Sequence, residues 1–101
     1  IGELYIDSSQ HIIKKGTEEI KLTNTEFQML YFLAIHNGMA MSKEQIYEYV
    51  WNDEYFFDDS NITSHIRRLR VKIEDNPAKP RYIQTVRGIG YKMQKADNDN
   101  W

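Results

Sequence analysis

The chain has 101 residues, no cysteine and a formal net charge of −2. This length fits one domain that buries about two-thirds of the surface that its unfolded chain exposes. The lack of cysteine excludes a disulfide framework and a thiolate metal site, and no apolar run approaches the roughly 20 residues of a membrane span or a signal peptide. We therefore expect a cytoplasmic protein with no membrane partner.

Three short strand patterns open the chain and predict a small antiparallel sheet. They cover Leu4–Asp7, Gln10–Lys14 and Glu18–Leu22, and a hairpin-length turn, Lys15-Gly16-Thr17, separates the last two. The chain begins on this pattern without an initiator Met, so we expect a fragment of a longer protein or a processed one.

A capping box, Thr23-Asn24-Thr25-Glu26, predicts the start of a helix that continues through Ile35. The helix is apolar almost all round and should form the buried centre of the fold. Its main stripe consists of Phe27, Leu30, Tyr31 and Ala34. Gly38 is suited to end the helix in a left-handed conformation, and His36 complements the charge of the helix C-terminus rather than acting as a ligand.

A second capping box, Ser42–Gln45, predicts a helix over Lys43–Trp51 with Ile46 and Val50 facing inward. Trp51 has two interpretations that the sequence leaves open. It is either an aromatic residue at the rim of the core, or its indole N–H reaches a phosphate oxygen.

Three adjacent aromatic residues, Tyr55, Phe56 and Phe57, lie in the acidic segment 52–59. They either fold back onto the core or form a contact loop for a protein partner, since exposed aromatics within a charged rim are typical of interaction patches. The sequence favours neither interpretation.

Residues Ser60–Glu74 form a basic amphipathic pattern. Its apolar stripe consists of Ile62, Ile66, Leu69 and Ile73. The opposite face carries Ser60, Asn61, Ser64, Arg67, Arg68 and Val71, with His65 and Arg70 on the flanks. Short polar side chains followed by arginines are what a helix needs to approach base edges in the major groove. Asp58, Asp59 or Ser60 could cap this helix, and Asn76-Pro77 should end it.

Arginines opposite an apolar stripe are usually a solvated face, but the charge here is segregated along the chain. Residues 1–64 contain four Lys/Arg and eleven Asp/Glu, a net charge of −7. Residues 65–95 contain nine Lys/Arg and two Asp/Glu, a net charge of +7. Because salt screens charges beyond about 8–10 Å, the local field matters more than the total, and the basic third is the candidate nucleic-acid face.

After the loop 76–80, two strand patterns, Tyr82–Val86 and Tyr91–Lys95, pair across Arg87-Gly88-Ile89-Gly90. The two glycines permit positive φ at the turn and keep the tip slim enough for Arg87 to enter a narrow minor groove. Residues 1–95 should form the domain, with 96–101 as a disordered acidic tail.

Four sets of residues carry a family resemblance. They are Leu22-Thr23 with Glu26-Phe27, then Val50-Trp51, then His65-Ile66-Arg67-Arg68-Leu69-Arg70, then Thr85-Val86-Arg87-Gly88-Ile89-Gly90-Tyr91. Over about Leu4 to Met93 the chain resembles the winged-helix effector domain of OmpR/PhoB-type response regulators. The resemblance implies an α+β fold, a winged helix-turn-helix with a four-stranded N-terminal sheet, three helices and a C-terminal hairpin wing.

The resemblance also implies a recognition helix over 60–74 in the major groove and a wing over 86–91 in the minor groove. It places contacts to the DNA backbone on Trp51, His65, Arg67, Arg70, Thr85 and Tyr91. Arg68 would read a base, and Arg87 would probe the minor groove. The chain departs from the family pattern at the start of the helix, where an arginine anchor is absent. Asn61, Thr63 and Ser64 should therefore read a different base sequence.

The partners that the resemblance implies are double-stranded DNA with direct-repeat half-sites, RNA polymerase through loop 52–59, an N-terminal receiver domain outside this fragment, and an upstream histidine kinase. We expect no enzyme and no cofactor, because His11, His36 and His65 lack metal-ligand spacing. The alternative is a winged helix that contacts protein alone. Salt titration against random duplex DNA separates the two functions.

Overall fold

A computed structural model describes residues 4–52 and 60–94, with the backbone alone for Ser60. The predicted aromatic loop Tyr55–Phe57, the predicted caps at Asp58 and Asp59, and the predicted tail 96–101 lie outside the described residues.

The described chain begins with an antiparallel sheet of β1 (Leu4–Asp7), β2 (Ile12–Lys15) and β3 (Glu18–Ile20), in that order. The prediction of this sheet is confirmed, but it has three strands within the described residues rather than four. The predicted start of the second strand at Gln10 is wrong. The Asp7 carboxylate accepts hydrogen bonds from the backbone N–H groups of Ser9 and Gln10, which turns the chain directly after β1.

Helix α1 (Asn24–Ile35) begins at the predicted capping box. The Thr23 hydroxyl accepts from the Glu26 N–H at 3.2 Å, and the Glu26 carboxylate accepts from the Thr23 N–H at 3.0 Å. The helix is the buried centre of the fold, as predicted, but its apolar face is wider than the predicted stripe. Its buried apolar residues are Phe27, Met29, Leu30, Phe32 and Leu33, with Tyr31 and Ala34 only partly buried.

Two residues, Met41–Ser42, form strand β4, which the sequence did not predict. Helix α2 (Lys43–Trp51) follows from the predicted capping box of Ser42 and Gln45. Ile46 is fully buried and Val50 is partly buried, so the predicted inward face is confirmed.

Helix α3 (Ser60–Ile73) buries all four residues of its predicted stripe. Ile62, Ile66, Leu69 and Ile73 are each at most 1% exposed. Burial of this stripe therefore determines which residues of α3 face outward. The helix ends at Ile73, one residue before the predicted Glu74 and shortly before the predicted stop at Asn76-Pro77.

The C-terminal hairpin consists of β5 (Ile83–Val86) and β6 (Gly90–Met93), and β4 joins it in the order β4-β6-β5. Its turn closes with a hydrogen bond from the Ile89 N–H to the Val86 carbonyl, and Gly88 has φ +81°, which a side chain would strain. The prediction that Gly90 serves the turn through positive φ is wrong. Gly90 lies in β6, where a Cβ atom would come within 2.1 Å of the Met41 carbonyl oxygen.

In the part of the chain that the structure describes, no helix is both long and apolar enough to cross a membrane.

Candidate nucleic-acid interface

The outer face of α3 is a polar and basic surface. Asn61, Thr63, Ser64, Arg67 and Arg68 are all exposed. Among residues 4–52 and 60–94, neither Arg67 nor Arg68 has a hydrogen-bond or ion-pair partner. Two free guanidinium groups on one helix face are available to an external anion.

Two aromatic side chains lie at one flank of this face. The Nδ1 atom of His65 lies 2.6 Å from the Asn61 carbonyl oxygen, which can only accept, so Nδ1 carries the proton. Trp51 contacts the His65 ring edge-on at 5.5 Å and stacks on Tyr47 at 4.8 Å. Trp51 is thus a partly buried residue at the rim of the core, held in place beside α3.

Arg70, on the other flank, is not free. Its Nε and Nη2 atoms donate to the Ile83 carbonyl at 3.2 and 3.0 Å, and Nη2 also donates to the Thr85 hydroxyl at 2.9 Å. The guanidinium carbon lies 5.6 Å from the centroid of the Tyr91 ring. The side chain of Arg70 therefore joins α3 to the wing.

Glu74 makes a second connection that the sequence interpretation missed. Its buried carboxylate accepts from the backbone N–H groups of Arg81, Tyr82 and Ile83 at distances from 2.7 to 3.1 Å. Unpaired backbone donors at the start of a buried strand are costly, and this one side chain satisfies three of them. The available signal was an acidic residue inside an otherwise basic segment.

The other acidic residue of this segment, Asp75, is also engaged. It forms ion pairs with Lys15 on β2 and with Arg81, at 3.7 Å for Arg81. The hydrogen bond and charge of Lys15 lower the pKa of the Asp75 carboxyl below its usual value. Both carboxylates of the basic third are thus used within the protein, and neither pairs with Arg67 or Arg68.

The wing carries further predicted residues. Arg87 is exposed at the hairpin turn, next to Ile89, which is 53% exposed. Thr85 is also exposed, whereas Tyr91 is only 6% exposed and packs under Arg70. A groove of about 220 Å³ between α3 and the wing is lined by Thr63, Ile66, Arg67, Arg70, Pro77 and Tyr91. The outer face of α3 and Tyr91 of the wing therefore line one groove.

The matching family model is "Transcriptional regulatory protein, C terminal", which covers residues 16–93. The chain belongs to this family. The resemblance to the OmpR/PhoB-type effector domain and the winged-helix fold class are thereby confirmed.

Three similar proteins illustrate the relationship. An uncharacterized transcriptional regulatory protein of Bacillus subtilis, YcbL, is 48% identical over 93 residues, which are 92% of this chain and 41% of YcbL. The DNA-binding domain of Klebsiella pneumoniae RstA, solved in complex with the RstA box, superposes with a TM-score of 0.86 at 33% identity, over 92% of both chains.

The response regulator DrrB of Thermotoga maritima, described as an OmpR/PhoB homolog, has a TM-score of 0.85 at 34% identity. The match covers 94% of this chain and 43% of DrrB. The chain therefore spans less than half the length of YcbL and of DrrB.

Proposed function

We propose that this chain binds double-stranded DNA in a sequence-specific manner, as the output domain of a bacterial two-component response regulator. Helix α3 enters the major groove and the hairpin wing enters the adjacent minor groove. The observation that carries the proposal is the joint exposure of Arg67, Arg68 and Arg87 on a helix and a wing that Arg70 and Glu74 hold together. The RstA domain, which has the same fold, is described in complex with a DNA box.

The side chains divide into two roles. Arg68 reads a base edge by a bidentate contact, with Asn61, Thr63 and Ser64 reading neighbouring positions. Arg87 probes the minor groove. The DNA backbone is contacted from Trp51, His65, Arg67, Arg70, Thr85 and Tyr91. Tyr91 is only 6% exposed, and Arg70 is also bonded to the wing.

Selection of bound duplexes from a random pool, followed by sequencing, tests the base preference and the half-site spacing together. On the selected duplex, Arg68→Ala should weaken binding by about 1–3 kcal/mol and relax the preference at one base pair. Arg67→Ala should weaken binding to all duplexes alike and flatten the log–log salt dependence by roughly one unit.

Lys14→Ala is the matched control, since it removes one exposed positive charge from β2, in the sheet that does not carry the helix or the wing. This variant should leave the base preference unchanged, and it should change the salt slope by much less than Arg67→Ala does. Unchanged binding by Arg68→Ala, or no measurable affinity for any duplex at low salt, would overturn the proposal. The second result would leave the protein-contact module as the surviving function.

The partners of the whole regulator are part of the same proposal. An N-terminal receiver domain, controlled by an upstream histidine kinase, would precede this chain, in keeping with the greater length of YcbL and DrrB. On DNA, we expect neighbouring copies on direct-repeat half-sites, and contact with RNA polymerase through loop 52–59 with Tyr55, Phe56 and Phe57. Substituting these three aromatics by alanine should reduce transcription activation and leave DNA affinity unchanged.

A further inference from the structure

The side chain of Arg70 crosses from the recognition helix to the wing. Two of its three guanidinium nitrogens donate into strand β5, to the Ile83 carbonyl and to the Thr85 hydroxyl. Its planar group also lies over the Tyr91 ring, on the neighbouring strand β6. The donors of Nε and Nη2 are therefore committed to the protein before any DNA arrives.

These bonds determine what Thr85 can do. Its oxygen accepts from a charged donor, so its hydroxyl hydrogen remains available to an external acceptor, and Thr85 is exposed. A hydroxyl that accepts from a cation is polarised into a stronger donor. A phosphate oxygen is the acceptor that a DNA-bound wing would offer to it.

Glu74 holds the same strand from the next turn of the helix. It directly follows the last residue of α3, and its N–H still donates to the Arg70 carbonyl at 2.9 Å, so it continues the helical turn that begins at Arg70. Arg70 contacts Ile83 and Thr85, while Glu74 binds the N–H groups of Arg81, Tyr82 and Ile83. Helix and wing strand are thus connected at successive points, which fixes the distance between the two elements.

We propose that Arg70 is a positioning residue for DNA binding. It fixes strand β5 against the recognition helix and presents the Thr85 hydroxyl to a phosphate, a role beyond the phosphate contact that the resemblance implied for it. The inference rests on the proposed function. It makes a distinctive prediction, because a lysine keeps the charge of Arg70 but lacks the planar fork that serves Ile83 and Thr85 together.

The test compares Arg70→Lys, Arg70→Met and Thr85→Val in the 101-residue chain, by fluorescence anisotropy on the selected duplex over a range of salt concentrations. Both Arg70 variants should bind about tenfold more weakly than wild type, and lysine should not rescue the loss. Adding Thr85→Val to Arg70→Met should weaken binding by less than the product of the two single effects, because each disrupts the same contact.

Arg67 provides the matched control, since it is an exposed arginine on the same helix with no partner in the described residues. Arg67→Lys should retain most of the affinity and salt slope that Arg67→Met loses, and Arg67→Met should combine additively with Thr85→Val. Rescue by Arg70→Lys, or additive effects of Arg70→Met and Thr85→Val, would overturn the inference.

Thermal unfolding by circular dichroism separates loss of fold from loss of binding. Thr85→Val changes an exposed side chain and leaves Arg70 its two bonds to Ile83, so this variant should remain folded. Should Arg70→Met unfold at the assay temperature, Arg70→Lys with Thr85→Val supplies the same cycle. If Arg70→Met and Arg67→Met both bind like wild type, the proposed function itself fails. If Arg67→Met weakens binding and Arg70→Met does not, only the role of Arg70 is refuted.

Discussion

Of the two glycines in the wing, Gly90 should be the one whose replacement destabilises the fold more, because a side chain there has no room. A Cβ atom there would lie 2.1 Å from the Met41 carbonyl oxygen and 3.0 Å from the Ser42 Cα atom, and both belong to backbone that cannot rotate away. To relieve this contact, β4 must move away from β6, which weakens the pairing of Met41 with Tyr91 and of Ser42 with Gly90. Overpacking of this kind costs about 3 kcal/mol.

The melting temperature of Gly90→Ala should therefore fall by about 12–24 °C, since each kcal/mol shifts a domain of this size by about 4–8 °C. Gly88→Ala is the matched control. Gly88 has open space around it but a φ of +81°. An alanine there is therefore destabilised only by the left-handed backbone conformation, which costs about 1 kcal/mol. Circular dichroism melting of both variants measures the difference. A Gly88→Ala variant as unstable as Gly90→Ala, or more so, would refute the steric explanation.

Two further predictions concern acidic residues. Glu74→Gln should lower the free energy of unfolding, measured by urea titration, by about 2–3 kcal/mol, and it should speed hydrogen exchange at the Tyr82 and Ile83 amides. Asp75→Asn, a change at the exposed neighbouring residue, should leave the midpoint of the urea titration almost unshifted. Burial raises the pKa of Glu26, but the hydrogen bonds from Lys72 and Thr23 lower it further than burial raises it, so its folded pKa lies below the usual 4.5. This carboxylate therefore stabilises the fold above about pH 4.5 and loses that contribution as the pH falls through the lowered value. Lys72→Met should cost about 1–3 kcal/mol at pH 7 and clearly less at pH 3, and an equal cost at both values would contradict the assignment.

The parts of the fold that the sequence predicted well depend on interactions between residues that are close together in the chain. The capping boxes at Thr23 and Ser42 involve atoms three residues apart, and both were confirmed. The stripe of α3 needs only a helical period and one buried face. Strand ends were less accurate, because the Asp7 side chain turns the chain early and because β4 exists only through its pairing with β6.

The candidate site divides in the same way. The exposed arginines of α3 and the wing follow from helical periodicity and from the charge of the segment, so residue patterns could place them. Arg70 and Glu74 could not be assigned this way, because their partners lie seven to fifteen residues further along the chain and meet them only after the hairpin has folded back. The two glycines of Arg87-Gly88-Ile89-Gly90 likewise suggested that both serve the turn, whereas the role of Gly90 depends on a strand about 50 residues earlier in the sequence.

The outer face of α3 has a consequence for how such a domain can diverge. Asn61, Thr63, Ser64 and Arg68 are exposed, and among residues 4–52 and 60–94 none of their side chains supports another part of the molecule. Exchanging them should alter the free energy of unfolding by no more than about 0.5 kcal/mol each. On the proposed function, a copy of this gene could therefore acquire a new operator preference by substitutions that leave the stability of the domain almost unchanged.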